Sequence, residues 1–185
     1  MLAGGATIIQ LREKRESART FFAEAAIAVP LGQAAGARMI INDRVDIALA
    51  LKADGVHLGQ TDMPVSAARA LLGAEAIIGY STHNLVQVKA ALELPVDYLA
   101  FGPIFPTGSK ENPDPVAGLE ALGAVKALVA DIPLVAIGGI RRGTLEAVFA
   151  AGADCAAIIS DIISPGEKIA ENFRSLLAIA NNQRR

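Results

Sequence analysis

Short runs of apolar residues recur along the chain, and polar or glycine residues follow each run. Runs of four to six residues rich in Ile, Val, Leu and Ala are typical of strands that are buried on both faces. This pattern predicts seven strands, at residues 6–11, 38–41, 55–58, 76–79, 98–101, 133–137 and 154–159.

Longer segments rich in Ala and Leu separate these runs and favour helices. Ser17 and Asn84 suit the N-cap position, and Pro64 suits a helix start. Pro30 predicts a kink or a break in the first helix. The predicted helices cover residues 17–35, 45–53, 64–72, 84–94, 118–130, 142–151 and 165–181.

Alternation of strands and helices indicates a parallel sheet, whose functional site is expected where the strands end. The chain has no Walker motif, and no Gly-x-Gly-x-x-Gly follows the first strand, which disfavours a doubly wound dinucleotide fold. Gly138, Gly139 and Ser160 follow the last two strands, where barrels bind phosphate. We therefore predict an α/β fold of the TIM (β/α)8-barrel type. Because only seven strands are predicted, we expect this barrel to lack its first strand and most of its first helix.

Composition and charge narrow the class of protein. A chain of 185 residues suits a single domain spanning residues 1–185. A net charge of −2 gives no sign of a nucleic-acid or membrane partner. The single cysteine, Cys155, excludes an internal disulfide, favours a cytoplasmic location, and is interpreted as a buried, inert thiol.

Residues 97–110 join a buried strand to a loop rich in glycine and proline. Two hydroxyls, a glycine and an ammonium stand at the far end of this stretch: Thr107, Gly108, Ser109 and Lys110. These groups bind anions when a rigid strand holds their loop. The stretch is therefore a candidate phosphate-binding loop, although taken alone it is equally consistent with ordinary surface structure.

The ends of the predicted strands resemble one known family, that of thiamine-phosphate synthase. Six motifs carry the resemblance in the family's order and spacing: residues 10–14 (QLREK), 41–44 (INDR), 55–62 (GVHLGQTD), 79–83 (GYSTH), 102–110 (GPIFPTGSK) and 136–140 (AIGGI). The resemblance covers essentially the whole chain from Ala3 onward.

The resemblance implies a Mg²⁺-dependent transferase of thiamine biosynthesis. The family joins 4-amino-2-methyl-5-hydroxymethylpyrimidine pyrophosphate to 4-methyl-5-(2-phosphoethyl)thiazole, which gives thiamine phosphate and pyrophosphate. Asp43 and Asp62 match the family's magnesium ligands. Two carboxylates completed by substrate oxygens and water form a normal magnesium shell.

The remaining site residues are also assigned by this resemblance. Arg12, Lys14 and Lys110 would bind the pyrophosphate, with Gln10, Asn42 and Ser81 beside the pyrimidine. Lys110, Arg12 and Ser81 are expected to contribute most to catalysis. The thiazole phosphate would be bound by Thr107, Gly108, Ser109, Gly139, Ile159 and Ser160.

Two departures and two histidines qualify this assignment. Asp161 places negative charge near the predicted phosphate site, which is unfavourable unless its carboxylate points outward, and Thr144 replaces an Asn common in the family. His57, inside a strand, is interpreted as a packed, hydrogen-bonded residue, and His83 as a site candidate.

Two alternative functions stay open at this point, namely a thiazole tautomerase and a truncated, inactive ligand-binding paralogue. Retention of Asp43, Asp62, Arg12 and Lys110 favours the synthase over the tautomerase. The expected partners are small-molecule substrates, and a second copy of the incomplete barrel is a further candidate partner.

Overall fold

The structure, a computed structural model, describes residues 1–108, 114–163 and 168–183. Seven strands alternate with seven α-helices in this part of the chain. The strands are β1 (Ile8–Leu11), β2 (Arg38–Asn42), β3 (Gly55–Leu58), β4 (Ile77–Thr82), β5 (Tyr98–Phe101), β6 (Leu134–Ile137) and β7 (Cys155–Ala157). The helices are α1 (Ala18–Ala34), α2 (Val45–Leu51), α3 (Val65–Leu72), α4 (Leu85–Ala91), α5 (Gly118–Val129), α6 (Leu145–Ala150) and α7 (Ile169–Gln183). Short 3₁₀ turns cover Leu2–Gly4 and Arg142–Thr144.

All seven strands belong to one parallel sheet, and their order in space follows their order in the chain. Right-handed crossovers in a sheet of sequential order place every helix on the same side. Such a sheet curls toward a barrel with its helices outside. The fold is therefore an α/β half-barrel of the TIM type, as the alternating pattern predicts, and β1 and β7 form the edges of the described sheet.

The hydrophobic core lies between the sheet and its helices and divides into two clusters. In the first cluster, α1, α2 and α3 pack on β1 to β4 around residues such as Met39 and Val56. In the second cluster, α4, α5 and α6 pack on β5 and β6 around residues such as Leu122 and Leu134. Large aliphatic side chains of this core are fully removed from water, and each contributes roughly 1.5–3 kcal/mol to folding.

Local capping explains where two of the helices begin. The Ser17 side chain accepts a hydrogen bond from the Thr20 N–H at 3.1 Å, and the Asn84 side chain accepts one from the Gln87 N–H at 3.0 Å. Both predicted N-caps are confirmed. None of the described helices has the length and apolar character needed to cross a membrane.

Three details of the prediction are wrong. Helix α1 continues through Pro30, with the apolar face around Val29 packed in the core, so the predicted break does not occur and the predicted kink stays a prediction. Strand β4 extends to Thr82 rather than ending at Gly79, since residues 81 and 82 pair with β5. Cys155 is partly exposed, because within the described sheet β7 is an edge strand paired with β6.

Two boundaries at the end of the chain also differ from the prediction. The strand predicted at residues 154–159 is shorter, covering only Cys155–Ala157. Helix α7 begins at Ile169, and the earlier start predicted at residue 165 lies outside the described residues.

Candidate active site

The predicted site residues lie where strands of the sheet end. Because carboxyl ends of parallel strands meet at one edge, these residues share one mouth of the half-barrel. They are Gln10 in β1, Arg12 and Lys14 beyond it, Asn42 and Asp43 at the end of β2, Asp62 after β3, Ser81 in β4, Thr107 and Gly108 after β5, Gly139 after β6, and Ile159 and Ser160 after β7. Ser109 and Lys110 lie outside the described residues.

The carboxylates of Asp43 and Asp62 meet between the ends of β2 and β3, close enough to share a hydrogen bond. Asp43 has a left-handed backbone with φ of 61°, and its N–H donates to the His57 carbonyl at 2.8 Å. The Asp62 carboxylate accepts a hydrogen bond from the Gly59 N–H at 2.7 Å. A backbone hydrogen bond therefore holds the Asp62 carboxylate, whereas the hydrogen bond of Asp43 fixes its backbone at the end of β2.

Charge is unbalanced at this point. Burial raises the pKa of Asp43, the neighbouring carboxylate of Asp62 raises it further, and Lys14 opposes both effects. The Lys14 ammonium forms an ion pair with Asp43. Two converging acids with one ammonium leave negative charge for a further cation to balance.

This donor set fits a magnesium ion that is bound together with a phosphate ligand. Mg²⁺ prefers oxygen and commonly takes one or two protein carboxylates, with substrate oxygens and water completing its shell. Within residues 1–108, 114–163 and 168–183, no cluster of three or more His, Cys, Asp or Glu side chains could hold a metal. The two acids are therefore suited to share an ion with a substrate.

A buried histidine connects strands inside the sheet. His57 is only 5% exposed, its Nε2 lies 2.7 Å from the Ser81 Oγ, and its Nδ1 lies 2.9 Å from the Tyr98 hydroxyl. Burial lowers the pKa of His57 to about 4, although Asp62 opposes this shift. The interpretation of His57 as a packed, hydrogen-bonded residue is confirmed, and the imidazole is neutral at neutral pH.

Tyr98 is a site residue that sequence reasoning missed. Its ring stacks on His57 with centroids 5.5 Å apart, and it occupies the space that a side chain at Gly79 would need. Burial raises the pKa of the Tyr98 hydroxyl, while a hydrogen bond with Gln10 lowers it. Tyr98 pairs with Gly79 in the register of β4 and β5, a cross-strand relation that the sequence pattern does not reveal.

His83 joins the loops that follow β4 and β5. Its Nδ1–H donates to the Gly102 carbonyl at 2.6 Å, and its Nε2 lies 3.4 Å from a carboxylate oxygen of Asp114. Its backbone N–H donates to the Gln87 side chain at 2.7 Å. His83 therefore lies at the same mouth as Ser81, held by the loops on both sides.

The loops after β5 and β6 are in close contact. Gly139 has φ of 66°, and a Cβ there would lie 2.5 Å from the Pro106 carbonyl and 2.7 Å from that of Phe105. Only glycine fits this approach, which brings the Gly138–Gly139 turn against the segment carrying Thr107.

The loop after β7 contributes Asp161 to this region. Its carboxylate accepts a hydrogen bond from the Arg142 N–H at 2.7 Å, at the start of the 3₁₀ turn that follows β6. This bond engages the carboxylate of Asp161 with the protein backbone. Ile159 and Ser160, just before it, are both exposed.

Comparisons with known proteins agree on one family. A family model described as thiamine monophosphate synthase matches residues 1–162. The thiamine-phosphate synthase of Chlorobium luteolum is 47% identical over 183 residues, which is 99% of this chain and 85% of that protein. The thiamine-phosphate synthase of Koribacter versatilis is 44% identical over 177 residues, covering 96% and 83%. Thiamine phosphate pyrophosphorylase from Pyrococcus furiosus superposes with a TM-score of 0.87 at 35% identity, covering 98% of this chain and 86% of that one.

Proposed function

Because this chain belongs to the thiamine monophosphate synthase family, we propose that it joins hydroxymethylpyrimidine pyrophosphate to thiazole phosphate. The products are thiamine phosphate and pyrophosphate, so the enzyme is a transferase of thiamine biosynthesis. The observation that carries this proposal is the convergence of Asp43, Asp62 and Lys14 at the carboxyl edge of the sheet. Two acids and one ammonium at this edge would suit a diphosphate leaving group that binds together with a magnesium ion.

The acidic pair and its neighbours would bind the diphosphate. Asp43 and Asp62 would hold a magnesium ion, which when bound neutralises charge on the diphosphate oxygens. Lys14 already neutralises part of the acidic pair, and Arg12 follows the same strand toward the mouth. We assign Arg12, Lys14 and Lys110 to the diphosphate oxygens by their match to the family's motifs, Lys110 lying outside the described residues.

Amide and hydroxyl groups would orient the pyrimidine. Asn42 is 7% exposed at the end of β2, directly beside His57 in the strand register. Gln10 lies in β1 and Ser81 in β4, and the Ser81 carbonyl accepts a hydrogen bond from the Gln60 side chain at 2.7 Å. Such groups can pair with the amino and ring-nitrogen edge of a pyrimidine.

The second substrate would bind on the opposite side of the mouth. We assign its phosphate to the loops after β5, β6 and β7. The Gly139 contact with Pro106 joins the first two of these loops, and the Arg142–Asp161 hydrogen bond joins the third. The residues proposed for this phosphate are Thr107, Gly108, Ser109, Gly139, Ile159 and Ser160. The Asp161 carboxylate is compatible with a nearby phosphate because it already accepts a hydrogen bond from the Arg142 N–H.

The chemistry asks the protein to position groups rather than to supply a nucleophile. The C–O bond to the diphosphate breaks and its electrons leave with the diphosphate. The lone pair of the thiazole nitrogen forms the new C–N bond, and a thiazolium results. No proton is removed in this step, so no general base is required. The protein contributes orientation and electrostatic stabilisation of the departing charge.

The seven strands follow the order of a (β/α)8 barrel, and we interpret them as seven of its eight. The alternative function of a thiazole tautomerase is not favoured, because the relatives compared above bear the name of the synthase. A catalytically dead paralogue would also have no need to preserve the paired carboxylates of Asp43 and Asp62.

An assay of the purified protein with both substrates and Mg²⁺ tests this function. We expect pyrophosphate and thiamine phosphate to appear together, and Asp62→Ala to reduce the rate at least 100-fold. Asp46→Asn is the matched control, since this nearby exposed acid pairs with Arg44 on the outside of the mouth. Isomerised thiazole without pyrophosphate, or substrate binding without turnover, would refute the assignment.

A further inference from the structure

Four side chains from four strands form a continuous polar chain inside the half-barrel. The Gln10 amide interacts with the Tyr98 hydroxyl. The Tyr98 hydroxyl lies 2.9 Å from the His57 Nδ1, and the His57 Nε2 lies 2.7 Å from the Ser81 Oγ. The two ends of this chain, Gln10 and Ser81, are the two residues assigned above to the pyrimidine. Tyr98 and His57 lie between them.

The direction of the hydrogen bonds is coupled along the whole chain. A neutral imidazole has one N–H donor and one acceptor nitrogen. In the first arrangement, Gln10 donates to Tyr98, Tyr98 donates to the His57 Nδ1, and the His57 Nε2–H donates to Ser81. In the second arrangement, every one of these bonds is reversed. A mixed arrangement, in which the Tyr98 oxygen accepts from both Gln10 and His57, is disfavoured because it leaves the Tyr98 hydroxyl hydrogen without an acceptor among these side chains.

The two arrangements offer opposite groups to a ligand. The first leaves the Gln10 carbonyl oxygen as an acceptor and the Ser81 hydroxyl hydrogen as a donor. The second leaves the Gln10 N–H groups as donors and the Ser81 lone pairs as acceptors. A 4-aminopyrimidine presents an amino donor beside a ring-nitrogen acceptor, whereas the 4-oxo form presents a carbonyl acceptor beside an N–H donor.

The ligand taken from the proposed function favours the first arrangement. The amino group of a 4-aminopyrimidine needs an acceptor, which the Gln10 carbonyl oxygen supplies, and its ring nitrogen needs a donor, which the Ser81 hydroxyl supplies.

We propose that His57 and Tyr98 are positioning residues that fix Gln10 as an acceptor and Ser81 as a donor, and so select a 4-aminopyrimidine over its 4-oxo analogue. This inference rests on the proposed function, because it takes the pyrimidine diphosphate as the ligand. It assigns a specificity role to two side chains that need not touch the substrate.

The tautomer of His57 is measurable without any turnover. The chain has two histidines, so a long-range ¹⁵N–¹H NMR spectrum of the labelled protein contains two imidazoles. His83 donates from Nδ1 to the Gly102 carbonyl and serves as the internal reference for the opposite tautomer, with His83→Asn assigning its signals. We expect the His57 proton on Nε2. A proton on Nδ1 would overturn the inference even in a fully active synthase.

Substrate selectivity provides the second test. Tyr98→Phe removes one hydroxyl from the middle of the chain, and Tyr80→Phe makes the same change at the chain's other tyrosine, outside the hydrogen-bonded series. We expect Tyr98→Phe to reduce the preference in kcat/KM for the 4-amino over the 4-oxo pyrimidine diphosphate roughly tenfold or more. Tyr80→Phe should leave this preference unchanged.

The outcomes separate the two proposals. An unchanged preference in Tyr98→Phe would overturn the positioning role while leaving the synthase function intact. Absence of wild-type turnover with the 4-amino substrate would instead refute the synthase function. The NMR result would then still report the direction of the hydrogen bonds.

Discussion

Asp43 combines a left-handed backbone with a half-buried carboxylate that faces a second acid. Its φ of 61° is one that Asp tolerates better than most residues, and its N–H donates to the His57 carbonyl. Strained backbone and a raised pKa at the same position are typical of functional sites. At this residue the geometry, the charge and the proposed chemistry coincide.

Removing the Lys14 ammonium should shift the ionisation of Asp43. Burial and Asp62 raise the pKa of Asp43, while Lys14 lowers it, so Lys14→Gln should raise it further. A carboxyl with a higher pKa stays protonated to a higher pH. We therefore expect the acid limb of the kcat/KM profile to move to higher pH, with a loss of about tenfold at neutral pH.

The pH–rate profile of purified Lys14→Gln, compared with wild type, measures this shift. Lys52→Gln is a suitable control, because this exposed lysine ends α2 away from the acidic pair. An acid limb at the wild-type position would contradict the role of Lys14.

Sequence reasoning could pair Asp43 with Asp62 because each follows one of two neighbouring parallel strands. It could not identify Tyr98, because the position of this ring depends on the register of β4 against β5 and on the missing side chain of Gly79. Cross-strand contacts of this kind leave little trace in the hydrophobic pattern, whereas strand ends are marked by polar residues and glycine.

At the scale of the elements, three acids clasp the amino ends of alternate strands. Asp54, Asp97 and Asp154 precede β3, β5 and β7, and the backbone N–H of each donates to a residue of the preceding strand. Each carboxylate in turn accepts the N–H of that same residue, at 2.7–2.8 Å: Met39, Ile78 and Leu134. A basic side chain pairs with each acid: Arg38, Arg69 and Lys126. These clasps lie at the end of the sheet opposite the site.

Asp54→Ala should destabilise the fold by about 1–3 kcal/mol, because it leaves the Met39 N–H without its partner. The Asp54 side chain is 12% exposed, the least of the three acids. Burial raises its pKa, but the Met39 N–H, Arg38 and Gln33 lower it to a net value below the ordinary 3.8. Its ionised form therefore contributes fully above pH 3.8 and loses this contribution as the pH falls through the lower folded pKa.

Urea denaturation at neutral pH and in strong acid measures this effect. The deficit of Asp54→Ala relative to wild type should be largest at neutral pH and smaller in strong acid. Asp131→Ala, which changes an exposed acid before β6, should cost much less. Equal deficits in the two variants would contradict the clasp.

Gly79 sets how closely β4 approaches the Tyr98 ring. A Cβ at Gly79 would lie 2.0 Å from the Tyr98 Cζ, so Gly79→Ala must displace the ring and break its bond to His57. We expect a loss of turnover of at least tenfold together with a lower melting temperature. Gly123→Ala is the matched control, because its Cβ would lie 3.6 Å from the Ala151 carbonyl oxygen, an ordinary van der Waals contact. Gly123 lies inside α5, and Ala is favoured over Gly in a helix by up to about 1 kcal/mol.

Melting curves and steady-state rates of these two glycine variants provide the comparison. Gly79→Ala and Gly123→Ala should change stability in opposite directions. Wild-type turnover in Gly79→Ala would show that Tyr98 can move without consequence.

Element boundaries were predictable where capping chemistry marks them, as at Ser17 and Asn84. They were not predictable where tertiary pairing decides. The sequence predicts loop positions for Ser81 and Thr82, but both lie in β4 because they pair with residues of β5. The Thr82 hydroxyl also donates a hydrogen bond to the Ala100 carbonyl of β5. Likewise, packing of its apolar face keeps α1 continuous through Pro30.

At the scale of the whole molecule, the two ends of the described chain are in contact. The turn at Leu2–Gly4 packs against α7, where a Cβ on Gly4 would lie 2.7 Å from the Ala170 carbonyl. The alternation of strands and helices was enough to predict a parallel sheet with its site at one edge. It could not predict how the edges of the sheet pack, since that depends on contacts between residues more than 160 positions apart.

The acidic pair should make global stability depend on magnesium and pyrophosphate together. A ligand that binds only the folded state stabilises it by about 2.7 kcal/mol at 100 times its Kd. The neighbouring Asp62 disfavours ionisation of Asp43, and a magnesium ion bound as proposed, together with the diphosphate, would remove this cost. Neither ligand alone should therefore bind as well as both. We expect the melting temperature of the wild type to rise by several degrees with Mg²⁺ plus pyrophosphate, and little with either one at equal ionic strength.

The double variant Asp43→Asn/Asp62→Asn should lose this joint shift while keeping a folded-state melting transition. Asp46→Asn, which alters only the exposed ion pair with Arg44, should keep it. Because melting reports ligand binding without turnover, this measurement locates the diphosphate site independently of the synthase assay. An equal joint shift in the double variant would place the magnesium and diphosphate elsewhere on the molecule, and the roles assigned to the mouth of the half-barrel would then have to be abandoned.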